Sequence, residues 1–519
     1  MRRRGALASI LAAALALAGC AAAPPSAPVR LTVLHTNDHH GRFWRGADGE
    51  AGLAARRTIV DAVRAELRAE GGHVLLLDAG DVNTGVPESD LQDAEPDFRG
   101  MSALRYDAMA VGNHEFDRGA EVQRRQRTEW SNFPWLSANA RQDGRPMFEP
   151  HRIFELGGLR VAVLGLTTED TARMRIDTRY PGVSFEPAIA EAARRVPALR
   201  RDADVVIALT HLGHHVDGRH GSAAPGDVEL ARAVPGIDLV VGGHTHSLVC
   251  MLEENRRRET YEPQAPCAPD RQGGAWIVQA GDRGRFVGRI DLEWHDGRLV
   301  LRRYRLIPVN LGTGTPVAED PATLALLDPF VRRAAAALDA SFGHAAGRFD
   351  GEREQVRGRR NPLGVLVAEA MRQAADADLA VLSSGGLRAT LPEGPVTRRG
   401  LLTVLPFGNR LVVVTMPGSE LRSYLDAVLR MTPGSGAFAQ YSGLVLDGAT
   451  TAGARVGGRP LDPQRSYRLA LPSFIAAGGD GYPDLRSHAG YRDTGLIDSA
   501  LLGDFIAARG RVAPEEFQP

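Results

Sequence analysis

Five short clusters of oxygen- and imidazole-bearing side chains carry most of the chemistry this sequence can offer. They are Thr36-Asn37-Asp38-His39-His40, Gly80-Asp81, Gly112-Asn113-His114-Glu115-Phe116-Asp117, Thr210-His211 and Gly242-Gly243-His244-Thr245-His246. Carboxylate, carboxamide and imidazole together suit Zn, Mn, Fe or Co better than Ca or Mg. Asp38 and His40 stand two apart, as do His244 and His246. In extended chain such residues share a face, so each pair can reach toward one ion. Singly the clusters say little, because a Gly-Asp is usually a turn and a lone buried histidine is usually a satisfied core residue. Their weight lies in occurring together and in order.

The elements that must position them are short apolar runs, each ending in one of these clusters or followed by a helix-like stretch. The runs are Leu31–Leu34, Val74–Leu77, Met109–Val111, Val161–Leu166, Val205–Leu209 and Leu239–Val241. Apolar runs this short, bounded by Gly, Asp, Asn or His, predict buried strands of an α/β sheet. Ligands collect past the C-terminal ends of such strands, so residues distant in sequence can share one site. Ala275–Gln279, Gly288–Trp294 and Val300–Ile307 predict a strand-rich close to this first domain, residues 30–320. Pro321 to Leu338 is apolar at helical spacing and predicts a helical linker over 321–340, with a second α/β domain over 341–519. A single core rarely grows past about 250–300 residues, so 519 residues fit this division.

The N-terminus has three arginines at positions 2–4, an apolar stretch from Ile10 to Ala18 and then Leu17-Ala18-Gly19-Cys20. The stretch is too short to span a bilayer. The sequence ending at Cys20 resembles the lipobox of bacterial lipoproteins, which implies removal of residues 1–19 and acylation of Cys20. The alternatives are a plain secretory signal with a coincidental cysteine, or an uncleaved anchor. Residues 20–29, rich in Ala and Pro, read as a tether. Ala21 and Ala22 lack an acidic inner-membrane retention signal, which makes the outer membrane the expected address. Export puts Cys250 and Cys267 in an oxidising compartment, where a disulfide is the better reading than metal ligation; two unrelated thiols are the alternative. A net charge of −1 gives no reason to expect nucleic acid, and nothing predicts an obligate protein partner. All 62 basic residues are arginine, so arginine abundance is uninformative and only position can single one out.

The order D-x-H, G-D, G-N-H-E, H and G-H-x-H resembles the calcineurin-like metallophosphoesterases. "LTVLHTNDHHGRFW", "YDAMAVGNHEFD", "GGHTHSLVCMLEEN", "LPFGNRLV" and "GGDGYPDL" further resemble the bacterial periplasmic 5′-nucleotidase/UDP-sugar hydrolase family, in order and across both domains. The resemblance implies a two-domain α/β architecture, a metallophosphoesterase sandwich followed by a substrate-binding domain. It implies one divalent ion on Asp38, His40, Asp81 and His246, and a second on Asp81, Asn113, His211 and His244. The family pattern has Gln at the place of His246, so the preference among Zn, Mn and Co is what that departure puts in question. Two ions about 3.5–4 Å apart acidify a water and stabilise both ends of an in-line displacement at phosphorus. His114 is implied beside the leaving oxygen, with Asp117 pairing with its ring and keeping it protonated. In the second domain the family pattern places Phe407 and Phe474 around a nucleotide base. Asn409 falls at the base edge, Asp480 at the ribose, and Arg353, Arg357 and Arg388 at the phosphate. The two cysteines also fall where that family has a disulfide. Rotation of the second domain to deliver substrate is a further implication. A 2′,3′-cyclic-nucleotide phosphodiesterase/3′-nucleotidase is the rival activity on this scaffold, and a thiosulfate-oxidising relative is disfavoured by the base-stacking motifs. A non-catalytic nucleotide-binding lipoprotein is the rival from another class; the intact ligands and His114–Asp117 pair speak against it.

Overall fold

The computed structural model describes residues 28–46, 48–174, 180–215, 224–253, 255–258, 260–262, 265–312, 316–446 and 450–519. The leader, Cys20 and most of the expected tether lie outside the described residues. Among the described residues no helix is long and apolar enough to cross a membrane.

All six apolar runs form strands, but in two sheets rather than one. Strands Val29–Thr36, His73–Asp78, Ala108–Ala110 and Trp135–Leu136 run parallel, and Phe286–His295 and Arg298–Pro308 extend that sheet antiparallel. The second sheet is centred on Leu159–Thr167, Val205–His211, Leu239–Val241 and Ala275–Val278, again parallel, with antiparallel strands at both edges. Strand alternation explains why the runs are continuously apolar. Leu31, Val33, Leu75 and Leu77 pack between the sheets against Val161, Val163, Val205 and Ile207. Their neighbours Leu34 and Leu76 face helices Leu53–Ala69 and Glu95–Ala103 on one outside. Ala162, Leu164, Val206 and Ala208 face helices Ala188–Asp202 and Asp227–Ala233 on the other. Both faces of each strand are buried, as parallel strands require.

Helix Pro321–Leu338 forms over the span expected from its pattern. Proline stands at its first position, and the Asp320 carboxylate caps it by accepting from the Thr323 amide at 2.8 Å. Leu327 and Phe330, one turn apart, sink into the core beside Leu53 and Phe98. The connecting helix is therefore docked on the first domain along its apolar stripe. Beyond it, strands Leu379–Ser383, Arg410–Pro417, Ser466–Pro472, Ala439–Ser442 and Tyr491–Ile497 form a mixed five-stranded sheet. Helices Pro362–Ala374 and Asp498–Arg509 cover one face with an apolar cluster, and Gly418–Val428 covers the other. Arg399 of this domain forms an ion pair with Glu88 of the first and bonds Asp339, at the end of the connecting helix, at 3.0 Å.

Candidate functional site

The loops past the C-terminal strand ends converge from both sheets. Asp38, His40 and His246 form one ligand group, Asp81, His211 and His244 another, and His40, Asp81 and His114 a third between them. Within each group the candidate ligand atoms lie within 4.8 Å of one another. Asn113 joins through its side-chain oxygen, 2.9 Å from Nδ1 of His244. Asp81 is central: its Oδ2 lies 2.9 Å from Nε2 of His211 and 3.9 Å from Nε2 of His114.

Asp38 and His40 meet in one group, but His244 and His246 fall into different groups and so do not reach toward one ion as their spacing suggested. Neither pair lies in extended chain. Asp38, His40, Asp81, His244 and His246 have φ of 50°, 49°, 60°, 78° and 57°. This left-handed backbone is uncommon outside glycine. The strand has already ended at Thr36, and the alternation that aims Asp38 and His40 into the site is one of turns. His39, between them, points away and is buried against Asp97 at 2.9 Å. Left-handed backbone at five ligand positions is strain held by the surrounding structure.

These side chains fit a pair of divalent ions. Nδ1 of His40 donates to the Thr84 carbonyl at 2.7 Å, and Nδ1 of His211 donates to the Ala79 carbonyl at 2.6 Å. Each bond sets the tautomer that leaves an Nε2 lone pair for an ion. Nε2 of His211 is buried and faces Oδ2 of Asp81. Nε2 of His40 and Nε2 of His246 sit 3.0 Å apart, with the Asp38 carboxylate 3.5 Å from the latter. Burial and the neighbouring His246 and His114 hold His40 well below its ordinary pKa, so it is neutral as a ligand must be. Burial pushes the Asp81 carboxyl up, but His211, His114 and His40 around it hold it well below the usual range.

His114 is placed differently. Its Nδ1 bonds Oδ2 of Asp117 at 2.7 Å, and its backbone amide donates to Asp81 at 2.8 Å. Burial pulls the imidazole down, but the carboxylates of Asp117 and Asp81 outweigh it, and its pKa is raised to about 9. Its ring stacks against Phe407 of the second domain, with centroids 5.9 Å apart and planes 10° apart. The Arg388 guanidinium lies 5.5 Å from the Phe407 centroid. Burial, then Arg283 and Arg353, pull Arg388 down to about 10; burial, then Arg353 and Arg388, pull Arg357 down to about 10. Three crowded cations beside the ligand groups have the chemistry to take an anion. The pattern of a calcineurin-like phosphoesterase matches residues 31–248, and that of a 5′-nucleotidase C-terminal domain matches residues 340–487. Protein UshA of Yersinia enterocolitica is 45% identical over 94% of this chain and 93% of its own length. The 5′-nucleotidase of Vibrio cholerae is 44% identical over 99% of this chain and 98% of its own. The chain belongs to the UshA/5′-nucleotidase family of metallophosphoesterases.

The crystal structure of a 5′-nucleotidase precursor from Thermus thermophilus shares the architecture, with a TM-score of 0.75 and 30% identity, covering 93% of this chain and 97% of that one. In this 5′-nucleotidase-family chain the remaining expected residues fall as follows. Asp480, at φ 55°, lies among the arginines: burial pushes its carboxyl up, while a Ser383 hydrogen bond and the charges of Arg357 and Arg388 oppose that. Phe474 is the second residue of the short helix Ser473–Ala476 and packs on the second-domain core, its ring so close to Gly479 that a Cβ there would lie 2.6 Å from it. Among the described residues its ring has no stacking contact with Phe407. Asn409 is held by Asp498, whose carboxyl hydrogen-bonds both its side chain and its backbone. Cys250 and Cys267 are joined in a disulfide just past the His244–His246 loop.

Three residues that build the site were given no role from the sequence, although Asn37 and Glu115 stand inside its clusters. The Glu115 carboxylate accepts from the amides of Asp81, Val82, Asn83 and Gly112 at 3.0, 2.9, 3.3 and 2.7 Å, staking two ligand loops together. Asp282 lies 3.4 Å from Nδ1 of His246. Asn37 donates to Asp38 at 2.6 Å and accepts from the Ala280 amide at 2.8 Å. Glu115 sits inside the Gly-Asn-His-Glu cluster, but its role depends on backbone amides that no residue type encodes.

Proposed function

We propose that this chain hydrolyses 5′-nucleotides to nucleoside and phosphate, and splits UDP-sugars, on the exported side of a bacterial membrane. The observation that carries the reading is the meeting of His114, with its Asp117 partner, and the ligand groups on one side with Arg388 and Phe407 of the second domain on the other. Asp38, His40, Asp81 and His246 would hold one ion, and Asp81, Asn113, His211 and His244 the second; Zn, Mn or Co suits the donors. Such a pair supplies an activated water and neutralises charge on the phosphoryl group.

The chain's own residues do the rest. Arg353, Arg357 and Arg388 hold the phosphate oxygens, and their mutual repulsion in the free protein is relieved by the anion. Phe407 and Phe474 offer ring faces to the base, a contact worth about 1–3 kcal/mol per stack and tolerant of base identity. Asn409, fixed by Asp498, reads the base edge, and Asp480 accepts from the ribose hydroxyls. As the bond from phosphorus to the leaving oxygen breaks, protonated His114 delivers a proton to that oxygen, and Asp117 stabilises and orients the imidazole. Export follows from the leader, and acylated Cys20 anchors the chain to the membrane.

Phosphate release from AMP, UDP-glucose and 2′,3′-cyclic AMP, measured side by side with added Mn, Co or Zn, tests this. Turnover of AMP and UDP-glucose above that of the cyclic substrate is expected. Faster turnover of the cyclic substrate gives the site to the rival phosphodiesterase, and none with any metal gives it to a binding protein.

A further inference from the structure

Thr84 has φ 64°, the left-handed region, where a β-branched residue is a genuine outlier. Its surroundings leave it no other choice. Glu115 ties down the amides of the three preceding residues, 2.9–3.3 Å away. The Asn83 side chain exchanges two hydrogen bonds with Gln126, at 3.2 and 2.7 Å. On the other side, a Cβ on Gly85 would lie 3.0 Å from Cβ of His40, so the chain passes close against that ligand. Strain enforced from both sides marks a position where side chain and carbonyl must point in set directions.

The two polar groups of this buried residue face the two halves of the site. Its carbonyl accepts from Nδ1 of His40 at 2.7 Å, fixing the tautomer of that ligand. Its hydroxyl donates to Oδ2 of Asp117 at 2.6 Å, the same oxygen that His114 Nδ1 meets at 2.7 Å. A carboxylate oxygen held by a second donor cannot swing with the imidazole, so the direction of the opposite ring nitrogen of His114 is fixed relative to His40. We propose that Thr84 is a positioning residue that locks the His114–Asp117 pair to the metal-ligand loop, setting where His114 meets the leaving oxygen. The proposal rests on the leaving-group role given to His114 above.

The test compares Thr84→Val, which keeps the branched shape and the carbonyl but lacks the hydroxyl, with Thr84→Ser, which keeps the hydroxyl. Each is assayed on AMP, a poor leaving group, and on p-nitrophenyl phosphate, a good one, and bound metal is counted by mass spectrometry. Outer partners of this kind are worth about 10- to 100-fold, so Thr84→Val is expected to lower kcat on AMP by about that factor with KM little changed. The loss on p-nitrophenyl phosphate is expected to be only about threefold or less, since its leaving oxygen needs little protonation. Thr84→Ser should recover most of the AMP rate, and both variants should keep the wild-type metal content because the carbonyl to His40 is untouched. The proposal is overturned if Thr84→Val matches wild type, loses both substrates equally, loses metal, or is no worse than Thr84→Ser. His114→Gln run in parallel separates the two layers. If it too loses both substrates equally, the leaving-group role falls and the proposal with it; if it is selective and Thr84→Val is not, the proposal alone falls.

Discussion

His114 is an imidazole with a carboxylate on one nitrogen and the ligand groups beside the other, its pKa raised to about 9. A folded-state value above the ordinary one means the cation prevails at neutral pH and is lost as pH rises through about 9. If that cation delivers the proton, kcat on AMP falls over the same alkaline window, and the fall is absent in His114→Gln. General acids contribute about 10²- to 10⁴-fold, so that variant should lose turnover on this scale. It should keep its metals, because Asp81, Asn113, His211 and His244 still supply the donors; loss of an ion would make His114 a ligand. At this scale residue type was a good guide for imidazoles and carboxylates, whose chemistry is specific. It was a poor one for arginine in a lysine-free chain. What sets Arg357 and Arg388 apart is burial beside other cations, which only the fold produces.

At the scale of elements, the ligand loops are held by backbone hydrogen bonds more than by ligand identity. Glu115 accepts four amides from two of them. Removing it leaves buried donors unpaired, each costing about 1–3 kcal/mol, partly recovered by water. Glu115→Ala should therefore lower unfolding free energy by about 2–5 kcal/mol, and metal affinity with it, both measurable by denaturation with and without ions. An unchanged midpoint and full metal content would mean that the loops hold themselves. The strands were legible because both faces of Leu31–Leu34, Val161–Leu166 and Val205–Leu209 are buried, which forces a continuous apolar run. Pro321–Leu338 was legible from its apolar spacing. The geometry of Asp38 and His40 was not: spacing by two suggested extended chain, and the structure reaches the same convergence by left-handed turns. Nor could spacing show that the runs divide between two sheets, since that depends on which strand pairs with which.

At the scale of the molecule, the site is completed only where the domains meet. Phe407 stacks on His114, and Arg399 pairs with Glu88 and Asp339 across the same junction. The helix between the domains is docked on the first through Leu327 and Phe330, so we propose that any rotation of the second domain would pivot beyond Leu338. The proposed anchor belongs to this scale as well. In detergent phase partitioning of the exported protein, wild type should enter the detergent phase and Cys20→Ser the aqueous phase; equal partitioning would leave a cleaved or uncleaved leader without acylation. The central claim is the pair of ions. Metal-stripped protein titrated with Mn, Co or Zn, with bound metal counted and phosphate release from AMP followed together, tests it most directly. Two ions per chain are expected, with activity reaching its plateau only at the second equivalent; full activity with one ion or none would contradict the account.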